Sequence, residues 1–77
     1  MIEAGKRYKI VKPVSNRHIV GVGDIIEISD VSWIGVRSYD ISVNDYEEPY
    51  HSILQFEGPY TLKEYFEMVE QALVEVE

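Results

Sequence analysis

The sequence predicts an α+β domain: a small antiparallel sheet, or a partly open β-barrel, of four to five short strands with one C-terminal amphipathic helix. Apolar residues recur with helical spacing over residues 61–76, whereas residues 7–56 consist of β-rich runs separated by turn residues. With 77 residues, the chain is long enough for one domain, 1–77, and it shows no internal repeat or Ser-rich linker.

The strand predictions follow from alternation and from turn residues. The run 7–14 places Tyr8 and Ile10 on one face, and Pro13 ends it because proline cannot donate to a ladder. Residues 21–24 form a turn, and further runs follow at 25–29, 33–37, 39–44 and 51–56, with a loop at 44–50. In 39–44 the alternation predicts a buried face of Tyr39, Ile41 and Val43 and a solvated face of Asp40, Ser42 and Asn44.

The helix has a well-defined start. Thr61 and Glu64 have the spacing of a capping box, and Tyr60 and Tyr65 have that of a hydrophobic staple. The predicted helix covers about 61–76, roughly 22 Å at 1.5 Å per residue. Its apolar stripe consists of Leu62, Tyr65, Phe66, Val69, Ala72, Leu73 and Val76.

Composition narrows the setting of the protein. The chain has no cysteine, which excludes disulfides and thiolate metal sites and fits a reducing compartment. The N-terminus lacks the pattern of an export signal, and no apolar run approaches the ~20 residues that cross a bilayer. We therefore expect a cytoplasmic protein without a membrane partner.

Charge is sorted along the chain. Residues 1–20 carry five basic side chains and one acidic one, a net charge of +4, whereas residues 21–77 carry thirteen acids with Arg37 and Lys63, a net charge of −11. A partner therefore meets a mainly acidic surface with a small basic patch.

One resemblance concerns the first third of the chain. Residues 5–11 (GKRYKIV) and 22–28 (VGDIIEI) are similar to the opening of small uncharacterised barrel-like accessory proteins of bacteriophages and prophages. The resemblance implies a mobile-element origin and carries over no functional residues.

Two segments resemble ligand-binding motifs, a phosphate-binding loop and a calcium loop, but lack the residues that these motifs require at fixed positions. Gly21-Val22-Gly23 lacks the further glycine, the lysine and the following helix of a phosphate-binding loop. The oxygen-bearing residues of 40–48 suggest calcium, but there is no glycine at the sixth position from Asp40, and His51 stands where the twelfth-position glutamate belongs. We predict neither a metal nor a cofactor.

Catalysis has few candidate groups. His18 and His51 are the only side chains that titrate near neutral pH when unperturbed, and a structural role fits His51 better than a general base. Glu47 and Glu48 are adjacent, but so small a fold rarely forms the water-excluding cleft that shifts carboxylate pKa values. We predict that the protein is not an enzyme.

Direct nucleic-acid binding is also not expected. Lys6, Arg7, Tyr8, Lys9 and Lys12 resemble a basic stripe with an aromatic. The Debye length of ~8 Å at physiological salt is comparable with the separations between charges in so small a body, so the acidic segment partly cancels their attraction for phosphate. The favoured interpretation pairs these basic groups with the protein's own acids.

The leading hypothesis is a non-enzymatic acidic protein-binding domain, an inhibitor or adaptor that imitates nucleic acid and docks on a basic surface such as that of a nucleic-acid-binding protein. Like charges three residues apart on a helix do not favour folding, so the glutamates of the helix need another explanation. The alternative to a docking role is that the charge of these glutamates keeps the protein soluble. The predicted partner-binding residues are Glu47, Glu48, Glu64, Glu67, Glu70, Tyr46 and Tyr50.

Two other functions remain open. One is a self-associating structural module, in which the basic N-terminal strand of one copy meets the acidic segment of another, with Met68 and Val74 at the contact. The other is a weak ligand or nucleic-acid binder that uses exposed aromatics, namely Trp33, Tyr46 and Tyr50.

Overall fold

The computed structural model describes residues 2–15, 21–41 and 52–76. Within them, the helix and strands are β1 Arg7–Ile10, β2 Ile25–Ser32, β3 Gly35–Asp40, β4 Ser52–Ile53, α1 Leu62–Ala72 and β5 Leu73–Val76.

The strands form one antiparallel sheet in the order β4-β3-β2-β1-β5. β1 to β4 are consecutive neighbours, and after α1 the chain returns so that β5 pairs with the other side of β1, with Ile10 opposite Leu73 and Arg7 opposite Val76. The predicted α+β class, with its antiparallel sheet and single amphipathic helix, is confirmed. The sheet is open and does not close into a barrel.

The core lies between one face of the sheet and α1. Alternation along the strands directs Tyr8 and Ile10 of β1, as predicted, and Ile26 and Ile28 of β2 to this face. The helix contributes a buried stripe that packs against them. Its members are Tyr65, Val69 and Ala72.

The start of α1 is confirmed in detail. The Glu64 N–H donates to Thr61 Oγ1 at 3.1 Å, and the Thr61 N–H donates to Glu64 Oε1 at 3.1 Å, which completes the capping box. The rings of Tyr60 and Tyr65 lie 5.9 Å apart between centroids, as a hydrophobic staple requires. These local contacts orient the helix before it meets the sheet.

The predicted extent of the helix, 61–76, is wrong at its C-terminal end. The helix ends at Ala72, and Leu73 has the extended conformation φ −121°, ψ 137° that begins β5. The sequence 73–76 (LVEV) contains two β-branched valines, which favour a strand, and the edge of β1 offers it a backbone ladder. Leu73 and Val76 continue the helical stripe in sequence only, and α1 is about 16 Å long rather than 22 Å.

The strand boundaries and one predicted face also differ. Trp33 and Ile34 form the turn between β2 and β3 instead of starting a strand. Tyr39 lies opposite Glu27, whereas Asp40 lies opposite the buried Ile26. The alternation in 39–41 is therefore real, but its two faces are reversed, because the strand register and not the apolar pattern decides which side faces the core. Residues 42–51 lie outside the described residues; they include the predicted loop, the second half of the run 39–44 and the first residue of the run 51–56.

Two serine hydroxyls lie in the sheet without a partner. Ser38 of β3 and Ser52 of β4 are opposite each other in register, and within the described part of the chain neither buried Oγ atom has a hydrogen-bond partner. A buried hydroxyl without a partner is destabilising, since it loses its hydrogen bonds to water.

We expect Ser38→Ala to raise the free energy of unfolding by about 1 kcal/mol, because it removes an unpaired polar atom and leaves only a small void. Urea denaturation measures the change. Ser29→Ala is the matched control: Ser29 Oγ donates to the Arg37 carbonyl at 3.1 Å on an exposed part of the sheet, so its loss should lower stability slightly. A fall in stability for Ser38→Ala would mean that the hydroxyl has a partner in solution.

Candidate protein-binding surface

The acids of α1 lie on its outward side. Glu64, Glu67 and Glu70 are exposed and three residues apart, so successive members are rotated by about 60° around the axis and the set spans about 9 Å along it. The mean direction of these three side chains is opposite to that of the buried Tyr65 and Val69. The carboxylates therefore form a surface of their own, as predicted; we call it the acidic face, with these three glutamates as its members.

Glu64 and Glu75 have internal roles as well. Glu64 belongs to the capping box, although its side chain remains exposed. Glu75 lies on β5 and not on the helix, and its carboxylate is 3.4 Å from Lys6 Nζ, which also contacts Glu3 at 2.8 Å. The hydrogen bond from Lys6 lowers the pKa of Glu3. Glu75 is therefore not a member of the acidic face.

The basic N-terminal residues are partly engaged within the protein. Arg7 Nε donates to Glu27 Oε1 at 3.3 Å, and Lys6 pairs with Glu3 and Glu75. The predicted internal pairing is confirmed for these two residues. Tyr8 is buried, so the aromatic of the supposed nucleic-acid stripe is not available to stack on a base.

Glu27 organises the sheet face that is turned away from the core. It lies between Arg7 of β1 and Tyr39 of β3 in register, and the Tyr39 hydroxyl donates to Glu27 Oε2. This hydrogen bond, followed by that from Arg7, holds the pKa of Glu27 below its usual value, and Glu27 in turn raises the pKa of Tyr39. The three side chains link β1, β2 and β3, and the Glu27 carboxylate is engaged within the sheet.

The tight turn between β2 and β3 carries two large apolar side chains. Trp33 is 79% exposed and Ile34 is 54% exposed, and they form a two-residue loop closed by the pair Ser32 and Gly35. Such loops favour Asn, Asp and Gly because of their backbone requirements. Here Gly35, with φ +146°, provides the unusual backbone conformation, and the apolar side chains extend into solvent.

An open apolar cleft lies beside this turn. It has a volume of about 320 Å³, and its walls come from the turn, the end of β4, the segment before α1 and the first turn of α1. Leu62, at the first position of α1, is 51% exposed at its rim. The lining residues are Ile34, Ile53, Leu54, Gln55, Tyr60, Leu62 and Tyr65.

Tyr65 fixes the floor of this cleft. Its hydroxyl donates to the Leu54 carbonyl at 2.6 Å and accepts from the Val36 N–H at 3.0 Å, while the Leu54 N–H donates directly to the Val36 carbonyl at 2.9 Å. Two residues opposite each other in an antiparallel ladder normally exchange both bonds directly. In this protein the Tyr65 hydroxyl lies between the Val36 N–H and the Leu54 carbonyl and replaces the direct bond between them. Burial raises the pKa of Tyr65, an effect that the Val36 N–H partly offsets.

Four of the predicted site residues cannot be placed. Glu47, Glu48, Tyr46 and Tyr50 lie outside the described residues, as do His18 and His51. Sequence reasoning named Trp33 but assigned it to a strand, and it missed Ile34 and Leu62. The available signal was the position of Trp33 and Ile34 directly before a glycine between two β-rich runs, which is the pattern of a hairpin turn.

The described residues provide little for other chemistry. Within ranges 2–15, 21–41 and 52–76, no three His, Asp or Glu side chains are grouped so that they could hold a metal ion. No helix in these ranges combines the length and apolar character needed to span a membrane.

Comparison with known proteins gives no relatives. No protein-family model, curated protein or solved structure matches this chain. The resemblance of residues 5–11 and 22–28 to phage accessory proteins stays a prediction.

Proposed function

We propose that this protein is a non-enzymatic, cytoplasmic protein-binding domain that docks its acidic face on a basic surface of another protein. One observation carries the proposal: three exposed carboxylates, those of Glu64, Glu67 and Glu70, occupy the side of α1 opposite its buried stripe. Like charges three apart on a helix repel, so the repetition of glutamate at this spacing does not itself favour the helix.

The spacing of these carboxylates supports imitation of nucleic acid. Residues three apart advance about 4.5 Å along a helix, against 3.4 Å of axis per phosphate of one DNA strand, so both present a row of negative charges with a spacing of a few ångströms. The partner class that follows is a nucleic-acid-binding protein, for which the domain serves as an inhibitor or adaptor. The rival model, in which the basic N-terminal strand meets a second copy, has less support because Lys6 and Arg7 are engaged within the chain.

The test compares two variants of equal net charge. Glu64→Gln, Glu67→Gln and Glu70→Gln together remove the acidic face, and glutamine at position 64 still completes a capping box. The control combines Asp30→Asn, Glu57→Gln and Glu75→Gln, which neutralise three exposed acids elsewhere. The binding protein captured on the wild-type domain from its native host serves as the titrant in calorimetry with both variants.

We expect the triple variant of the acidic face to bind at least about tenfold more weakly, a loss of about 1.4 kcal/mol, and the control to bind within about twofold of wild type. Affinity should also fall as salt rises, because exposed charges are screened. Equal affinities for the two variants, or binding that does not change with salt, would contradict the proposal.

A further inference from the structure

The turn and the cleft make one patch that folding alone does not explain. Trp33 and Ile34 occupy turn positions where small polar residues are favoured, and Leu62 is an apolar residue at an exposed first helical position. Places where the local rules of sequence are broken are expected at functional sites. We call Trp33, Ile34, Leu62 and the adjoining cleft the hairpin patch.

The hairpin patch holds both a protrusion and a recess. Trp33 is the most exposed of the large apolar residues in the described ranges and is not among the residues that line the cleft beside it. The recess, at about 320 Å³, lies at the small end of the range of ligand-binding clefts, which is enough to receive an indole ring. A protrusion next to a recess lets two copies exchange the one into the other, which is the arrangement that a twofold interface requires.

The charge around the hairpin patch also fits a second copy. Arg37 and Lys63 are the two basic residues of 21–77; Arg37 lies opposite the cleft residue Ile53, and Lys63 follows Leu62. Asp30 lies opposite Arg37, and Glu64 folds back to Thr61. Among the described residues, these two basic and two acidic side chains balance, and Glu57 of the segment before α1 adds one negative charge. This part of the surface is therefore less acidic than the chain as a whole, which has a net charge of −7. Two acidic copies therefore meet little repulsion at this patch, and a basic partner gains little from it.

From these observations we infer that the hairpin patch is a homodimer contact, in which Trp33 of each copy occupies the cleft of the other copy. This inference does not depend on the proposed function. The acidic face lies on the outward side of α1, whereas Leu62 lies nearer the buried side, so the dimer presents two acidic faces.

The single tryptophan makes the inference directly measurable. The patch is small, so we expect a dissociation constant on the order of 100 μM. As the protein concentration is raised through this value, Trp33 emission should shift to shorter wavelength. Analytical ultracentrifugation should detect the dimer over the same concentrations. Leu62→Lys and Ile34→Lys should both remove the shift and the dimer. The control is Val22→Lys, at an exposed valine in a different turn, which should retain both the emission shift and the dimer. Circular dichroism verifies folding of each variant.

A mixing experiment separates the two halves of the contact. Trp33→Ala keeps the cleft but has no tryptophan, whereas Leu62→Lys keeps the tryptophan but loses the cleft. Adding the first variant to the second should shift the emission of Trp33 again, because one protrusion and one recess then meet. The inference would be overturned if the wild-type protein kept the emission of a solvent-exposed tryptophan up to a protein concentration of about 1 mM. A dimer that persists in Leu62→Lys would also overturn it. Glu67→Gln with Glu70→Gln should leave the dimer intact, so failure of this inference and failure of the proposed function are distinguishable.

Discussion

Replacing Tyr65 with phenylalanine is expected to lower the free energy of unfolding by about 3 kcal/mol. The hydroxyl joins the Val36 N–H and the Leu54 carbonyl, both on buried residues. Leaving a buried donor or acceptor unpaired costs about 1–3 kcal/mol for each group. A domain of this size has a total stability of about 4–12 kcal/mol, so the loss should be a large part of it. Urea denaturation followed by circular dichroism provides the measurement.

The control for this substitution is Tyr60→Phe. Tyr60 stacks near Tyr65 but is only partly buried, so removal of its hydroxyl should change stability by no more than about 0.5 kcal/mol. Amide exchange of Val36 adds a local readout, since its N–H should exchange faster in Tyr65→Phe. Unchanged stability and exchange would mean that Val36 and Leu54 close their ladder directly once the hydroxyl is gone.

The contact of Tyr65 illustrates what the sequence could and could not predict about the fold. The start of α1 was predictable because its determinants, Thr61, Glu64 and the staple, lie within a few residues of one another. The apolar stripe identified Tyr65 as a core residue. Its bonds to Val36, 29 residues away, depend on where β3 and the segment after β4 meet, and no local pattern encodes that position.

The predicted C-terminal end of the helix was wrong for a related reason. Leu73 and Val76 continue the helical spacing, whereas Val74 and Val76 have the alternation of a strand, and so short a segment does not distinguish the two. The pairing of β5 with β1 decided the outcome. This affects the candidate site. Glu64, Glu67 and Glu70 are exposed on the helix as predicted, whereas Glu75, within the predicted helix, lies on β5 and pairs with Lys6. The apolar part of the surface escaped prediction because a strand propensity was assigned to Trp33 and Ile34, which form a turn.

Gly35 is the second position where a small change should have a large effect. Its φ of +146° is rarely adopted by residues with a side chain, and an added Cβ would lie 2.8 Å from Ile53 Cγ2 and 3.2 Å from the Tyr65 hydroxyl oxygen. Backbone strain of about 1–3 kcal/mol and overpacking of about 1–3 kcal/mol combine, so Gly35→Ala should destabilise the domain by about 4 kcal/mol. Urea denaturation measures this loss.

A control and a double-mutant cycle separate the two causes. Gly21→Ala should be nearly neutral, because an added Cβ there meets nothing within 4 Å. In an Ile53→Ala background the nearest clash is gone, so Gly35→Ala should cost less than in the wild type by about 1–3 kcal/mol, and the remainder reports the backbone together with the contact to the Tyr65 hydroxyl. An equal cost in both backgrounds would mean that the Ile53 contact contributes nothing and that the backbone and the Tyr65 contact account for the effect. A neutral Gly35→Ala would show that β3 and the segment after β4 are not held as closely as the Tyr65 bridge requires.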